Sequence, residues 1–246
     1  MDTYKFSVEP FSEDVTGRLA WGVLGNTLLR VAEKSAITHG FGFDTVHKQN
    51  TAWVLSRLLI EMPNMPRMGQ EFEVSTWVSR IYRQFTDRNF TISTNDDTPI
   101  GHATSVWALI DIDTRQPVNL ADYNNPKFHA AMAEQTVPIA PFSRCQVTGD
   151  KPVREIIVMQ SDLDINGHVN SIRYMQMVID TLYNAHTETL DIHNVLPHRI
   201  EMTYTAETFY GDTLTAFTEQ KSDKEFHCML KHKNGEIVVK SIVFFA

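Results

Sequence analysis

The sequence predicts an α+β fold made of two similar units, each with one long helix followed by an antiparallel sheet. Three observations predict it: two helical stripes of apolar residues, strand-like runs after each stripe, and landmarks that recur in both halves of the 246 residues. A helix whose apolar stripe packs on one face of a sheet gives each unit a core of its own.

The two helical stripes mark residues 27–39 and 171–183. Apolar side chains recur there every three or four positions, at Leu28, Val31, Ala32 and Ala36 in the first and at Ile172, Met175, Val178, Ile179 and Leu182 in the second. Asn26 and Asn170 are the predicted N-caps, because an asparagine side chain accepts a hydrogen bond from the first helical amides. Gly40 is the predicted stop of the first helix.

Runs rich in β-branched and aromatic residues predict the strands. They cover 71–81 and 102–112 in the first half, and 213–220, 225–233 and 236–246 in the second. Asn234-Gly235 predicts a hairpin turn between the last two runs.

Equivalent landmarks relate the two halves, although their identity is low and two unrelated α+β segments are the alternative. The matched pairs are Asn26 with Asn170, Gly69 with Gly211, Phe90 with Phe226 and Ser105 with Ser241. Residues 119–143 are polar with three prolines and are typical of a connection. We therefore expect a first unit in 1–118, a linker in 119–148 and a second unit in 149–246.

Composition argues against several classes of protein. No apolar run approaches the ~20 residues that span a bilayer, and a net charge of -8 argues against nucleic acid as the main ligand. Residues 1–15 have neither the basic start nor the apolar stretch of a secretory signal, and are too acidic for a transit peptide. Cys145 and Cys228 lack metal or redox spacing and fit a reducing compartment. We expect a cytoplasmic protein without metal or cofactor, acting on neither membrane nor nucleic acid.

The stretch that carries chemistry precedes the second helix. Asp164, Asn166 and His168 stand at alternate positions, so an extended approach would project them to one side, next to the free amides of the helix start. Such a site favours negative charge. The alternative is that Asp164 and Asn166 only cap and turn the chain while His168 packs.

The run from Asp162 to Asn170, followed by Tyr174, resembles the helix-leading motif of hotdog thioesterases, most closely the acyl-acyl carrier protein thioesterases of plants and bacteria. The resemblance continues through residues 27–42, 51–62, 103–117 and 199–212, and so spans nearly the whole chain. It implies two tandem hotdog units, a double hotdog, in which each long central helix is wrapped by an antiparallel sheet.

The resemblance also implies a function and its residues. The expected activity is hydrolysis of fatty acyl thioesters, most closely acyl-acyl carrier protein, which releases free fatty acid and terminates chain elongation. The partner would be an acyl carrier protein bearing a phosphopantetheine-linked acyl chain. The family's functional residues fall on Asp164, Asn166, His168 and, on the following strand, Glu207. Without the resemblance, Glu207 would be read as an ordinary solvated strand residue.

One departure from the family pattern bears on the mechanism. Many plant members place a cysteine directly after that glutamate, whereas this chain has Thr208. A thiol mechanism at that position is therefore excluded, which leaves attack by water or by a carboxylate. We expect Glu207 to activate water. His168 and Asn166 would position the water or polarise the thioester carbonyl, and Asp164 would orient its neighbours.

The first half is expected to bind the acyl chain without doing chemistry. Aligning Asn26 on Asn170 places Ala20, Gly22 and Leu24 at the three motif positions, which predicts one active site per chain. A basic stretch of this half could meet the acidic carrier or its phosphate, and scattered solvated charges are the alternative. It comprises Arg57, Arg67, Arg80, Arg83 and Arg88.

The sequence leaves two rival functions open. One is a hotdog hydratase or dehydratase of acyl thioesters, which also uses an acidic residue and a histidine near the central helix. The other is a non-catalytic acyl-thioester sensor, although no DNA-binding helical module is visible. The sequence leaves open the acyl chain length, the choice between carrier protein and coenzyme A, and the oligomeric state, a homodimer included.

Overall fold

The computed structural model describes residues 1–121, 123 and 125–246. Positions 122 and 124 of the predicted linker lie outside the described residues. The chain divides into two compact units, Met1–Ala140 and Pro141–Ala246. No helix in the described residues has both the length and the apolar character needed to cross a bilayer.

The first unit combines one long helix with an antiparallel sheet. Its described residues form the helices α1 (Trp21–Thr38), α2 (Phe43–His47) and α3 (Pro126–Ala130). Its strands are β1 (Asp2–Ser7), β2 (Thr51–Glu61), β3 (Glu71–Tyr82), β4 (Phe85–Ser93) and β5 (Pro99–Asp111). They pair antiparallel in the order β1-β3-β4-β5-β2.

The second unit, all of whose residues are described, repeats this plan. Its helix is α4 (Ser171–Ala185), preceded by a 3-10 turn at Gln160–Asp162. Its strands are β6 (Arg154–Ile157), β7 (Pro197–Tyr204), β8 (Thr213–Gln220), β9 (Glu225–His232) and β10 (Ile237–Phe245). They pair antiparallel in the order β7-β10-β9-β8-β6.

Each long helix buries its apolar stripe against the sheet of its own unit. In α1, the side chains of Leu24, Leu28 and Val31 are fully buried, and the helix packs on β3. In α4, the buried stripe comprises Ile172, Met175, Val178 and Leu182, and the helix packs on β8, β9 and β10. Because burying one such side chain contributes about 1.5–3 kcal/mol, these stripes fix which helix face meets the sheet.

The second helix begins where the sequence predicts, whereas the first begins earlier. Asn170 caps α4 with its Oδ1, which accepts a 2.8 Å hydrogen bond from the amide of Ile172. The prediction of Asn26 as an N-cap was wrong, because α1 begins at Trp21 and its cap residue Ala20 makes no side-chain bond. Two glycines in its first turns are poor helix formers, and burial of that segment overrides them. Gly40, at a φ of +73°, follows the helix end as predicted.

Five strands coincide with the predicted runs, namely β3, β5, β8, β9 and β10. The Asn234-Gly235 hairpin is confirmed, with β9 and β10 paired antiparallel and Gly235 at a φ of +89°. Five described strands were not predicted, namely β1, β2, β4, β6 and β7. The sequence of β4 shows why, since it carries Asp87, Arg88 and Asn89 in its middle, and such residues do not favour strands by themselves.

Candidate active site

A tight turn held by Asp164 leads into α4. Asp164 Oδ1 accepts hydrogen bonds from the backbone amides of Asn166 at 2.8 Å and His168 at 3.4 Å. The Asp164 amide donates to the His168 carbonyl at 2.8 Å, and the Gly167 amide donates to the Asp164 carbonyl at 3.1 Å. Gly167 has a φ of +77°, a conformation that glycine adopts without strain. The segment is thus a turn, not the extended approach expected from the alternating residues, because the Asp164 side chain bonds its own backbone.

The first unit contains the same turn. Asp14 Oδ1 accepts from the amides of Thr16 at 2.8 Å and Arg18 at 3.3 Å. The Asp14 amide donates to the Arg18 carbonyl at 2.7 Å, and Gly17 has a φ of +71°. The structural equivalents of Asp164, Asn166 and His168 are therefore Asp14, Thr16 and Arg18.

This equivalence corrects the alignment made from the sequence. Ala20, Gly22 and Leu24 were expected at the three motif positions, and that was wrong because the alignment depended on Asn26 as a cap. The first unit does retain the carboxylate that holds the turn. What it lacks is the imidazole, since Arg18 stands where the second unit has His168.

The pairing of this turn with the next loop gives the equivalent of Glu207. In the second unit the Val169 amide donates to the Thr208 carbonyl at 3.0 Å, and in the first unit the Leu19 amide donates to the Pro66 carbonyl at 2.8 Å. Thr208 directly follows Glu207 in the sequence, and Pro66 directly follows Met65. The first unit therefore has Met65 where the second has Glu207.

The structure brings His168 and Glu207 together. His168 Nδ1 lies 3.5 Å from Glu207 Oε1, and the two side chains are 26% and 38% exposed. That distance permits electrostatic attraction but exceeds an ordinary N–H···O hydrogen bond. Glu207 was expected on a strand, and this was wrong, since β7 ends at Tyr204 and Glu207 lies in the connection to β8. The pairing of Thr208 with Val169 holds that connection against the turn.

Two further side chains contact the pair, and neither was predicted from the sequence. The ring of Phe209 packs edge-on against His168, with centroids 5.0 Å apart. His232, at the end of β9, donates from Nε2 to the carbonyl of Glu207 at 3.1 Å. Nothing in the local sequence pattern marks His232, because β9 reaches Glu207 only through sheet pairing.

Asn166 occupies a different place from the other predicted residues. Its backbone is held by Asp164, while its side chain is exposed. No hydrogen bond of that amide side chain to any described residue is present, so the side chain is not positioned by the protein. The structure therefore brings His168 and Glu207 into contact, makes Asp164 the holder of their turn, and leaves the Asn166 amide facing outward.

Thr208 points away from the exposed site. Its side chain is fully buried, and its hydroxyl lies beside the phenol of the nearly buried Tyr174. Burial, together with the charges of Asp212, Glu207 and Asp164, raises the pKa of Tyr174 to about 12, while the neighbouring Thr208 hydroxyl opposes the shift. The Tyr174 phenol thus lies behind the carboxylates of the site as a neutral group.

Neither cysteine is arranged as a nucleophile. The Cys145 Sγ contacts the backbone carbonyl of Ser241 at 3.4 Å, and Cys228 lies fully buried in β9. Both are free thiols. Burial raises the pKa of each, which disfavours the reactive thiolate.

The basic stretch divides between surface and core. Arg57, Arg67, Arg80 and Arg83 are exposed, whereas Arg88 is 4% exposed. The expectation that Arg88 could meet an acidic carrier was wrong, because β4 directs its side chain into the core of the first unit. Within residues 1–121, 123 and 125–246, no cluster of three or more histidine, cysteine, aspartate or glutamate side chains could hold a metal ion.

The arrangement in the second unit suits proton transfer to or from water. A half-exposed carboxylate beside an imidazole can accept a proton from a water molecule, and the turn leads into the N-terminal end of α4, whose dipole favours negative charge. Such a site can stabilise an oxyanion as it forms on a carbonyl under attack.

Comparisons with known proteins agree on one family. The model of the acyl-ACP thioesterase N-terminal domain matches residues 2–124, and that of the C-terminal domain matches residues 146–245. The chain is 24% identical to a chloroplastic oleoyl-acyl carrier protein thioesterase of Coriandrum sativum, over 90% of this chain and 63% of that protein. It thus spans less than two thirds of the length of this relative.

Two solved structures extend the match to the fold. An acyl-ACP thioesterase from Bacteroides thetaiotaomicron is 42% identical, with a TM-score of 0.91, covering 100% of this chain and 97% of that one. A 12:0-ACP thioesterase from Umbellularia californica has a TM-score of 0.86 at 17% identity, covering 100% of this chain and 96% of that one, which shows the fold alone. The fold is therefore of the hotdog type, and the chain belongs to the acyl-ACP thioesterase family.

Proposed function

We propose that this protein hydrolyses fatty acyl thioesters carried by acyl carrier protein and releases free fatty acid. The observation that carries the proposal is the contact of His168 with Glu207, 3.5 Å apart, on a turn that leads into α4. The equivalent positions of the first unit hold Arg18 and Met65, so the acid and the imidazole occur together in one unit. Family membership supplies the substrate class.

In the proposed reaction, the Glu207 carboxylate takes a proton from water while the water oxygen forms a bond to the thioester carbon. The carbonyl oxygen becomes an oxyanion, and the carbon–sulfur bond then breaks as the carbonyl re-forms. The thiolate leaves with the proton that Glu207 had accepted, so that water and thioester give acid and thiol. No other reactant is needed.

The other site residues have supporting roles in this proposal. His168 orients the Glu207 carboxylate or the water, and Asp164 positions His168 through its backbone hydrogen bonds. The exposed Asn166 side-chain amide can donate to the carbonyl oxygen of a bound thioester, because it makes no hydrogen bond to any described residue. Direct attack by Glu207 on the thioester is the alternative chemistry for the same residues.

We further propose that the two units are tandem hotdog units with divided roles. Residues 149–246 would be catalytic, 1–118 would bind the acyl chain, and 119–148 would join them. Support comes from the matching turns at Asp14 and Asp164 and from a largely apolar cavity that residues of 29–107 line together with Phe128. Arg80 and Arg83 are the proposed carrier contacts, since both are exposed. We also propose a cytoplasmic location, which fits the free cysteines. We propose a homodimer as well, and light scattering would measure its mass.

Release of free thiol from acyl-carrier protein and acyl-coenzyme A substrates tests the function. We expect turnover by the parent and a loss on the order of 10²- to 10⁴-fold for Glu207→Gln, the usual reach of one positioned base. Met65→Gln, at the equivalent position of the first unit, is the matched control and should retain parental turnover. Binding of the thioester without thiol release would contradict the proposal and favour a sensor. Consumption of an enoyl or hydroxyacyl thioester with the thioester bond intact would favour a hydratase.

A further inference from the structure

A small cavity within the first unit has a polar side built into an apolar wall. It holds about 60 Å³, room for roughly four or five water-sized groups. Phe41, Trp53 and Phe128 form much of its apolar side. Glu33 and Arg88 also line it. A purely hydrocarbon ligand would therefore face two ionisable side chains.

Arg88 lies in this wall with only part of its hydrogen-bonding capacity used. Its side chain donates from Nη1 to the hydroxyl oxygens of Ser35 at 3.0 Å and Thr76 at 3.3 Å. Among the described residues, Nε and Nη2 have no hydrogen-bond partner. The guanidinium also lies over the ring of Phe41, 5.9 Å from its centroid. Two donor nitrogens of a buried cation, with three N–H groups between them, thus remain available within the cavity wall.

The charge of Arg88 is balanced only at a distance. Burial, offset in part by Asp2, Tyr4 and Glu33, lowers the pKa of the guanidinium to about 10. No carboxylate among the described residues forms an ion pair with it within 4.0 Å. A buried cation without a close anion costs stability, and an apolar side chain would serve packing better. Its presence in a cavity wall is better explained by a ligand than by the core.

Glu33 provides a hydrogen-bond acceptor in the same cavity wall as the Arg88 donors. Glu33 Oε1 accepts from the Phe43 amide at 2.8 Å, and its second oxygen remains for other contacts. Burial raises the pKa of this carboxyl, with Asp44 adding to the rise and the Phe43 amide and Arg88 opposing it. A hydroxyl both accepts and donates, so it matches a guanidinium and a carboxylate together. A ligand carboxylate would instead be repelled by Glu33.

We propose that this cavity binds the distal end of an acyl chain that carries a hydroxyl group, with Arg88 donating to the hydroxyl oxygen and Glu33 accepting its hydrogen. The inference rests on the proposed function in so far as that chain is attached to a thioester. It assigns Arg88 and Glu33 to substrate selection, a role that the residues of the second unit do not fill.

Binding of free ligands tests the cavity apart from hydrolysis. The probes are methyl dodecanoate and its 12-hydroxy and 11-hydroxy derivatives, with dissociation constants measured by calorimetry. We expect the best hydroxylated ester to bind the parent about 10- to 100-fold more tightly than the plain ester, the range of one hydrogen bond to a charged group. Equal affinities for the plain and hydroxylated esters would overturn the inference. Dodecanoate, the free carboxylate, is a further probe. The inference would also be overturned if dodecanoate bound more tightly than every ester and this binding depended on Arg88.

Variants then assign the preference to residues. Arg88→Met keeps length and removes the donors, and should reduce the preference for the hydroxylated ester to less than about 3-fold. Leu29→Met changes the same cavity but leaves the cation, and should retain the preference. Melting transitions check folding, and Glu33→Gln, which should weaken the preference, gives a second result if Arg88→Met does not fold. A preference that survives both Arg88→Met and Glu33→Gln would overturn the inference.

Thioester substrates separate this inference from the proposed function. Hydrolysis of hydroxylated acyl thioesters with a higher kcat/KM than plain ones, lost in Arg88→Met, would support both. Hydrolysis without any such preference, together with equal binding of the esters, would overturn the inference and leave the proposed function standing. Absence of hydrolysis with an Arg88-dependent binding preference would overturn the proposed function and support the cavity assignment.

Discussion

Asp164 and Asp14 hold the same backbone turn in the two units. The turn of Asp164 ends at His168, whereas the turn of Asp14 ends at Arg18. Each uses Oδ1 to accept hydrogen bonds from amides two and four residues later, at 2.8 and 3.4 Å for Asp164 and at 2.8 and 3.3 Å for Asp14. The aspartate is therefore a structural residue of both units. The chemical difference between the two units lies at the positions of His168 and Glu207, where the first unit has Arg18 and Met65.

Alanine at either aspartate should destabilise the protein, and only one change should affect activity. Asp14→Ala and Asp164→Ala each leave two amides without their acceptor, so the free energy of unfolding should fall by about 1–3 kcal/mol in both. Only Asp164→Ala should lower kcat, because only that turn positions His168. Urea unfolding and thiol release measure the two effects. Loss of kcat in Asp14→Ala at equal stability would contradict this division.

His168 and Glu207 should act as one unit. Glu207→Ala should lower kcat by about 10²- to 10⁴-fold and His168→Ala by about 10²- to 10³-fold. The double variant should lose far less than the product of the two effects, because removing one partner already disables the other. Steady-state kinetics of all four forms provides the cycle, and Arg18→Ala is the control in the first unit. Fully multiplicative effects would show that the two side chains act independently.

Tyr174 should make stability fall at high pH. Burial, together with the charges of the nearby carboxylates, raises its pKa in the folded protein from 10.0 to about 12. Between these two pKa values the folded protein keeps the Tyr174 proton, whereas the unfolded chain loses it. The contribution of neutral Tyr174 to the free energy of unfolding is therefore intact below about pH 10 and is lost as the pH rises toward 12. Between pH 8 and pH 11 Tyr174→Phe should lose about 1.4 kcal/mol less of its free energy of unfolding than the parent. Urea unfolding at pH 8, 10 and 11 measures it, and parallel curves would refute it.

Removing both thiols should leave hydrolysis nearly unchanged. Cys145→Ser combined with Cys228→Ala should keep kcat within a few-fold of the parent, because burial disfavours both thiolates and neither contacts the site. The fully buried Cys228 packs as an apolar side chain, so a lower melting temperature is expected. Kinetics at a temperature where the variant is folded makes the test. An inactive but folded variant would show that a cysteine takes part in catalysis.

Charge reversal should distinguish the surface arginines from the buried one. Arg80→Glu and Arg83→Glu should lower kcat/KM for acyl-carrier protein by several-fold to about 10-fold, and leave a small thioester unaffected, because only the carrier brings an acidic surface. Lys48→Glu, also exposed in the first unit, is the control. Equal effects on both substrates would remove the docking role. Arg88→Glu should instead unfold the first unit, since it buries an anion in place of a cation.

Much of the second unit could be predicted from the sequence because its signals are local. Asn170 caps α4 where predicted, the apolar stripe of α4 is buried, and Asn234-Gly235 forms its hairpin. Capping, amphipathic spacing and turn chemistry depend on residues within a few positions of each other, so the sequence alone determines them. The run around Asp164 and His168 was recognised for the same reason.

Only the tertiary structure decided the relations between distant segments. The start of α1 at Trp21, the burial of Arg88 and the hydrogen bond from His232 to Glu207 all depend on packing or strand pairing between remote parts of the chain. The equivalence of Asp14 with Asp164 was missed because the alignment depended on Asn26 as a helix cap, and the structure begins α1 at Trp21 instead. Sequence by itself determined the local turns and helix faces; folding decided which side chains meet, because contact depends on pairing that no local pattern encodes.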